Sequence, residues 1–219
     1  MIRALLFVLL ACAVPRLASA QGVFLQKGTS GYGGDAAIST DGSSLSLSMY
    51  AGYSYKGWAD GGIGMYRIAL DPDDTYGDVV ASYGVAPRIA AHPLKQSNTM
   101  PLSLAVGTSF GFFTVVDEDY GYESMANGWT FQLDTTAYRL FKLGDHYGVI
   151  PGVQLSYSHM QLNMDGDGES TNTFGGMVQG HVAWLNESGY ILTVAPWLAI
   201  DSNPAVSFGV SVGAFRAKL

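Results

Sequence analysis

Cysteine is almost absent from the chain: the one residue, Cys12, lies in a short apolar run near the N-terminus, Ala4 to Val14. That run is too short to cross a bilayer as a helix, and no later stretch shows a sustained helical period with caps. If residues 1–20 are removed as a leader, no cysteine remains. Disulfides and cysteine metal sites are then excluded from the mature protein.

Charge is also scarce, and basic charge most of all. Charged residues make up 13% of the chain, with 11 Lys and Arg against 18 Asp and Glu. Loss of Arg3 and Arg16 with the leader would move the net charge from -7 to -9. An acidic chain without a basic run is a poor nucleic-acid binder, so no nucleic-acid partner is expected.

The N-terminus has the pattern of a secretory signal peptide: Arg3, the apolar run, and an Ala-x-Ala site that ends at Ala20. We predict cleavage after Ala20, which leaves residues 21–219 as a single domain. The competing interpretation is a lipoprotein signal in which Cys12 is the lipid-attachment site.

Alternation of period two runs through the rest of the sequence and predicts β-strands. From Ser44 to Tyr55, for example, apolar Leu45 and Leu47 alternate with Ser46 and Ser48. Similar segments predict strands over 31–39, 44–55, 58–70, 77–91, 101–115, 128–142, 146–162, 172–186, 189–201 and 204–217.

One face of these strands is bulky and apolar, and the other consists mostly of Ser, Gly, Gln and Thr. A soluble sandwich would bury its bulky face and carry Lys, Glu and Asp on the other. Here charges are rare within the strands, which favours lipid outside and a small-residue interior. The sequence therefore predicts an all-β fold: an antiparallel up-and-down transmembrane β-barrel of about ten strands, with eight possible.

The connections fall into two sets of different charge. One side receives 40–43, 71–76, 116–127, 163–171 and 202–203, which hold the acidic clusters and contain no Lys or Arg. The other side receives 56–57, 92–100, 143–145 and 186–188, with Lys56 and Lys95. We predict longer acidic connections outside the cell and short turns in the periplasm.

Aromatic residues on the apolar face lie near both ends of the predicted strands, where membrane interfaces select them. They are Tyr53, Tyr55, Tyr147, Trp184 and Tyr190 toward the periplasm, and Phe110, Phe112, Trp129, Phe131, Tyr157, Phe174 and Phe208 toward the exterior. With the signal, the alternation and the loop asymmetry, these girdles make the chain resemble the small outer-membrane β-barrel proteins, the OmpA/OmpX-like class, over nearly all of its mature length.

The resemblance implies an outer-membrane location and insertion by the barrel-assembly machinery. Members of that class often end in a phenylalanine that the machinery reads. Here Phe215 is followed by four more residues, and it is out of phase with Phe208 and Val210 unless Gly213 marks a bulge.

Charges on the interior face of a narrow barrel must pair or be hydrated. Asp134 and Gln132 share the small-residue face of one strand, and Arg88 has interior parity on another, whereas the facing of Arg67 is ambiguous. We predict an interior polar network in which Arg88 or Arg67 pairs with Asp134. Its other candidate members are His181, Gln179 and Gln154.

Signs of reaction chemistry are few. Asp165, Asp167 and Glu169 alternate with glycines and are candidate calcium ligands, although the complete twelve-residue loop is missing. No base–nucleophile spacing is visible around the four histidines, so no catalytic residue and no cofactor are predicted. Large residues on interior parity, Tyr50 and Phe113 among them, indicate a packed lumen rather than a general porin channel.

These features predict a structural or surface-interaction role through acidic external loops, for a monomer in contact with outer-membrane lipid and lipopolysaccharide. The alternative is a narrow channel or transporter for a small or apolar solute. A surface hydrolase and a secreted lipocalin-like barrel are further alternatives. The last of these would bury Leu45, Leu47 and Met49, whereas a membrane barrel would expose them.

Overall fold

The computed structural model describes Leu25 and residues 27–70, 80–117, 123–164, 167–186, 188–202 and 205–218. The predicted signal peptide, Cys12 and Asp165 lie outside this part of the chain. No helix in the described residues is long and apolar enough to cross a membrane. The strands are β1 (Ser30–Thr40), β2 (Ser44–Tyr55), β3 (Ala59–Leu70), β4 (Val80–Leu94), β5 (Ser103–Asp117), β6 (Glu123–Tyr138), β7 (Phe141–Lys142), β8 (Tyr147–Met164), β9 (Asp167–Leu185), β10 (Tyr190–Asp201) and β11 (Val206–Lys218).

The described strands form a closed antiparallel barrel. Each long strand pairs with its neighbours in sequence, β6 pairs directly with β8, and β1 pairs with β11 to complete the circle. The two-residue β7 lies beside the first residues of β8. Ten long strands therefore make the wall, which confirms the predicted fold and leaves no long strand edge unpaired.

The facing of the strands follows the alternation in the sequence. In β2, Met49 is 63% exposed on the outer surface, whereas Ser46 on the inner face is 6% exposed. Leu45 and Leu47 are exposed in the same way. Every long strand carries exposed large apolar residues on its outer face, two or more in each strand except β6, where Leu133 is the exposed one. An apolar exterior around a polar and small-residue interior is the pattern of a membrane barrel, and it contradicts a lipocalin-like arrangement.

Several strands extend further than the sequence predicts. β6 begins at Glu123 rather than at 128, and β9 begins at Asp167 rather than at 172. β4 continues to Leu94, past the predicted end at 91. The predicted strand 128–142 is instead divided into β6 and β7. Polar residues occupy most of the added segments, so hydropathy marks them as loop although they pair across the sheet.

The two ends of the barrel differ in charge. We call the end with connections 41–43, 71–79, 118–122, 165–166 and 202–205 the acidic end, since it holds Asp41, Asp117, Asp167, Glu169 and Asp201. The opposite end, the basic end, holds Lys27, Lys56, Lys95, Arg139, Lys142 and Arg216. Connections 95–102 and 139–146 at the basic end are longer than 41–43 and 165–166 at the acidic end. Charge therefore separates the ends more clearly than the predicted contrast in loop length does.

Candidate functional site in the barrel lumen

An ion pair lies against the inner wall of the barrel and joins β4 to β6 across β5. Arg88 on β4 donates from Nη2 to both carboxylate oxygens of Asp134 on β6, at 2.8 Å and 3.0 Å. Both side chains are almost completely buried. Between them lies Gly107 on β5, where an added Cβ would stand 2.6 Å from Arg88 Nη2 and 2.9 Å from Asp134 Oδ2. A glycine is therefore required on β5 for the two side chains to meet.

A second buried polar group lies in the lumen near the basic end. His92 on β4 is fully buried, and its Nε2 lies 2.7 Å from Asp60 Oδ2 on β3. On its other side, His92 Nδ1 lies 3.1 Å from the hydroxyl of Tyr138 at the end of β6. Lys95 Nζ donates to that hydroxyl at 3.2 Å. One arrangement of hydrogens satisfies all three of these hydrogen bonds. Lys95 donates to the Tyr138 hydroxyl, that hydroxyl donates to His92 Nδ1, and His92 Nε2 donates to Asp60.

Lys95 also connects this group to the N-terminal segment. Its ammonium donates to the Leu25 carbonyl oxygen at 3.4 Å. Burial lowers the pKa of Lys95 to about 8, and the negative charge of Asp60 opposes that shift. Leu25 itself is buried against Ala183, Ile191 and Phe215. The segment before β1 thus covers the lumen at the basic end.

Near the acidic end, one side of the lumen is filled by apolar side chains. One buried cluster there is formed by Tyr66, Ile68, Val80, Phe113, Val115, Ala126, Met160 and Leu162. These are inward-facing residues of β3, β4, β5, β6 and β8. No charged residue belongs to the cluster, so packing rather than ion pairing holds these side chains together.

Large lumen aromatics are accommodated by glycines on adjacent strands. An added Cβ at Gly209 would lie 2.6 Å from Trp197 Cζ2, and one at Gly33 would lie 2.6 Å from Phe215 Cδ1. Three more rings lie over glycines in the same way, in the pairs Tyr50 with Gly62, Tyr66 with Gly84 and Phe113 with Gly128. The small residues of the inner face therefore make room for side chains that fill the lumen.

The structure places the remaining predicted network residues as follows. Gln132, Gln154, Gln179 and His181 are all buried on the inner face. Arg67 is not part of the lumen: it has the outward parity of Met65, and its Nε donates to Tyr83 Oη at 3.1 Å. Of the two candidate partners for Asp134, the structure therefore selects Arg88.

Phe215 is also placed on the inner face. The pairing of β11 with β1 and β10 continues without a shift past Gly213, so no bulge restores the phase of Phe208. Phe215 is buried beneath Leu25 instead of facing outward. It therefore differs in orientation from the outward residues Phe208 and Val210, which are exposed.

The candidate calcium ligands remain a prediction. Asp167 and Glu169 are exposed, and they lie at the start of strand β9 rather than within a loop. Among the described residues, no three His, Cys, Asp or Glu side chains are grouped in a way that could hold a metal ion. Asp165 lies outside those residues, so the complete set of three cannot be described.

All twelve predicted girdle aromatics have outward parity in the structure. Near the acidic end they form a nearly continuous patch on β5, β6, β8 and β9, in which Phe110 stacks on Trp129 with ring centroids 5.6 Å apart. His159 joins this patch at 5.1 Å from Trp129, and its Nδ1 lies 2.9 Å from Asn172 Oδ1. His159 therefore belongs to the outer surface.

The polar group around His92 is the feature that the sequence reasoning missed. The sequence predicts His92 in the connection 92–100, and Asp60 is not among the predicted members of the polar network. A usable signal was present, since Arg88, Ala90 and His92 continue the inward parity of β4. The backbone bond from His92 N to Trp58 O, 2.7 Å long, extends the pairing to that point.

No family model and no curated protein sequence matches the chain. Among solved structures, the chain is similar to the translocator domain of the autotransporter NalP from Neisseria meningitidis. That match has a TM-score of 0.63 and 10% identity, and it covers 92% of each chain. Weaker matches include Ail of Yersinia pestis, with a TM-score of 0.45, 10% identity and coverage of 88% of this chain and 100% of that one. At such identities the likeness concerns the fold alone, which is that of the outer-membrane β-barrels.

Proposed function

We propose that the protein is a non-conducting outer-membrane β-barrel, with a structural or surface-interaction role carried by its acidic end. The observation that carries the proposal is the filled lumen. Buried side chains occupy it at three levels along β3 to β8: the apolar cluster, the pair of Arg88 with Asp134, and the group around His92. A narrow solute channel, the alternative from the sequence, would need a continuous polar path that these three levels interrupt.

Conductance measurements test this proposal directly. The full chain, refolded and inserted into planar bilayers, is expected to add no discrete conductance steps, while a general porin in the same bilayers serves as the positive control. Uptake of a small solute into vesicles is expected to match that of empty vesicles. Reproducible conductance steps, or saturable solute uptake, would contradict the closed lumen and favour the channel.

The orientation of the barrel is part of the proposal, with the acidic end at the cell surface. There, loose bridging by divalent cations between acidic side chains and lipopolysaccharide phosphates would require no defined metal site. Two tight turns offer a matched test, because Gly42 at the acidic end and Gly57 at the basic end both have positive φ. An epitope inserted beside Gly42 should be labelled on intact cells, and one beside Gly57 only after the outer membrane is opened. The reverse labelling would contradict the orientation.

A further inference from the structure

Five cations at the basic end lie over aromatic rings. Lys95 lies 5.8 Å from the centre of the buried Tyr138 ring, and the rings beneath the other four cations are exposed. The distances from charge to ring centre are 4.8 Å for Lys27 over Trp58, 5.2 Å for Lys56 over Tyr55, 4.8 Å for Arg139 over Phe141 and 5.2 Å for Arg216 over Tyr190. In the described residues of the acidic end the corresponding contact is Arg67 over Tyr83, at 5.8 Å. At the basic end, aromatic rings therefore hold ammonium and guanidinium groups in fixed positions on the outer surface of the barrel.

Arg216 differs from the other cations because it has a tyrosine on each of the two neighbouring strands. It lies on β11 between two tyrosines in register, Tyr32 on β1 and Tyr190 on β10. Both tyrosines are exposed on the outer face. The guanidinium hydrogen-bonds to Tyr32 and stacks against the ring of Tyr190. Two neighbouring strands thus hold one guanidinium at the lipid-facing edge.

The surface next to Arg216 is apolar. Along the outer face of β11 and β10, toward the middle of the barrel, Val212, Leu192 and Val194 are all exposed. A ligand that suits this surface needs an anionic group for the guanidinium and a hydrocarbon body for the apolar stripe. Arg is suited to phosphate because its planar fork donates two parallel hydrogen bonds.

We infer that Tyr32, Arg216 and Tyr190 form a binding site for the phosphate of one anionic phospholipid, whose acyl chain lies along Leu192, Val194 and Val212. The inference rests on the proposed orientation, which places the basic end in the periplasmic leaflet. Lipid A also carries phosphate and acyl chains, but it belongs to the opposite leaflet under that orientation. The site would hold a phospholipid at the seam where β1 and β11 close the barrel.

Native mass spectrometry of the full chain tests the site. The chain is refolded into vesicles of phosphatidylcholine and phosphatidylglycerol, extracted in mild detergent and analysed for retained lipid. Wild type should retain one phosphatidylglycerol. Arg216→Gln should weaken its binding roughly tenfold, which corresponds to the loss of one charge-assisted contact. Arg216→Lys should fall between the two, because it keeps the charge but loses the fork.

Arg67→Gln is the matched control, since Arg67 is also an outward arginine beside a tyrosine but lies near the acidic end. It should retain phosphatidylglycerol as wild type does. Equal retention by wild type and Arg216→Gln, or equal loss in both arginine variants, would overturn the site. Failure of the proposed membrane location gives a different result, because carbonate would then release the wild type from the vesicles before any lipid is counted.

Discussion

Replacement of the buried ion pair in the middle of the lumen tests how the barrel interior is held together. Arg88 Nη2 lies 2.8 Å from Asp134 Oδ1, and both side chains are almost completely buried. Removal of one partner, in Arg88→Met or Asp134→Leu, leaves the other charge buried and should cost about 3–5 kcal/mol of unfolding free energy. Removal of both, in the double variant, should restore stability to within about 1–2 kcal/mol of wild type.

The expected coupling energy between the two positions is therefore at least about 3 kcal/mol. It can be measured by urea unfolding in lipid vesicles, followed by fluorescence of the chain's four tryptophans. Arg67→Met is the control: that arginine is half-buried on the outer surface, and its loss should change stability by no more than about 1 kcal/mol. Single variants that each cost less than 1 kcal/mol and add without coupling would refute the reasoning, because the pair would then be hydrated or loosely held.

Three further predictions concern the polar lumen. His92→Leu removes contacts to Asp60 and Tyr138, and should cost about 2–4 kcal/mol in the same unfolding assay; a cost below 1 kcal/mol would contradict a buried network. Gly107→Ala forces a methyl group between two charged side chains, so we expect a loss of about 1–3 kcal/mol, whereas a neutral result would mean the pair can move aside. The pKa of Lys95 falls from 10.5 to about 8 on folding, so the unfolded chain binds the proton more tightly between those values. The free energy of unfolding should then rise between about pH 8 and 10.5, by at most about 3 kcal/mol. Lys95→Met should remove this pH dependence; if the variant keeps it, groups other than Lys95 cause it.

The wall of the barrel could be predicted from the sequence because strand facing depends on local alternation. A slip of one residue would exchange Leu47 with Ser46 or Ser48 and reverse the whole face, so the pattern specifies which side is apolar. Alternation also specifies the facing of Phe208 and Val210, because their outward orientation follows directly from their parity. The sequence therefore predicted both the fold class and which residues face outward.

The strand ends at the acidic end could not be predicted in the same way. Residues 167–171 are Asp, Gly, Glu, Ser and Thr, which are typical of loops. They form part of β9 because β8 supplies partners, with Asp167 opposite Met164 and Glu169 opposite Leu162. Pairing between strands is a tertiary effect that overrides local propensity.

The lumen chemistry was predicted in part. Arg88 and Asp134 could be proposed as partners because both have interior parity, but their meeting depends on the register of β4, β5 and β6 and on the small size of Gly107. The aromatic–glycine pairs, such as Trp197 with Gly209, likewise depend on register. His92 was assigned to a connection although its parity continues that of Arg88 and Ala90, because alternation alone does not show how far the pairing of β4 extends.

The most direct test of a lipid-facing barrel with a filled lumen uses single spin labels. The native chain offers a simple background, since its one cysteine, Cys12, lies within the predicted leader. Labels at Leu47→Cys, Met49→Cys and Leu155→Cys should be accessible to oxygen dissolved in the bilayer and protected from a water-soluble nickel complex. Labels at Ser46→Cys and Ser48→Cys should be protected from both reagents. Nickel access at the outward positions, or oxygen protection at all five, would contradict a membrane barrel with this facing.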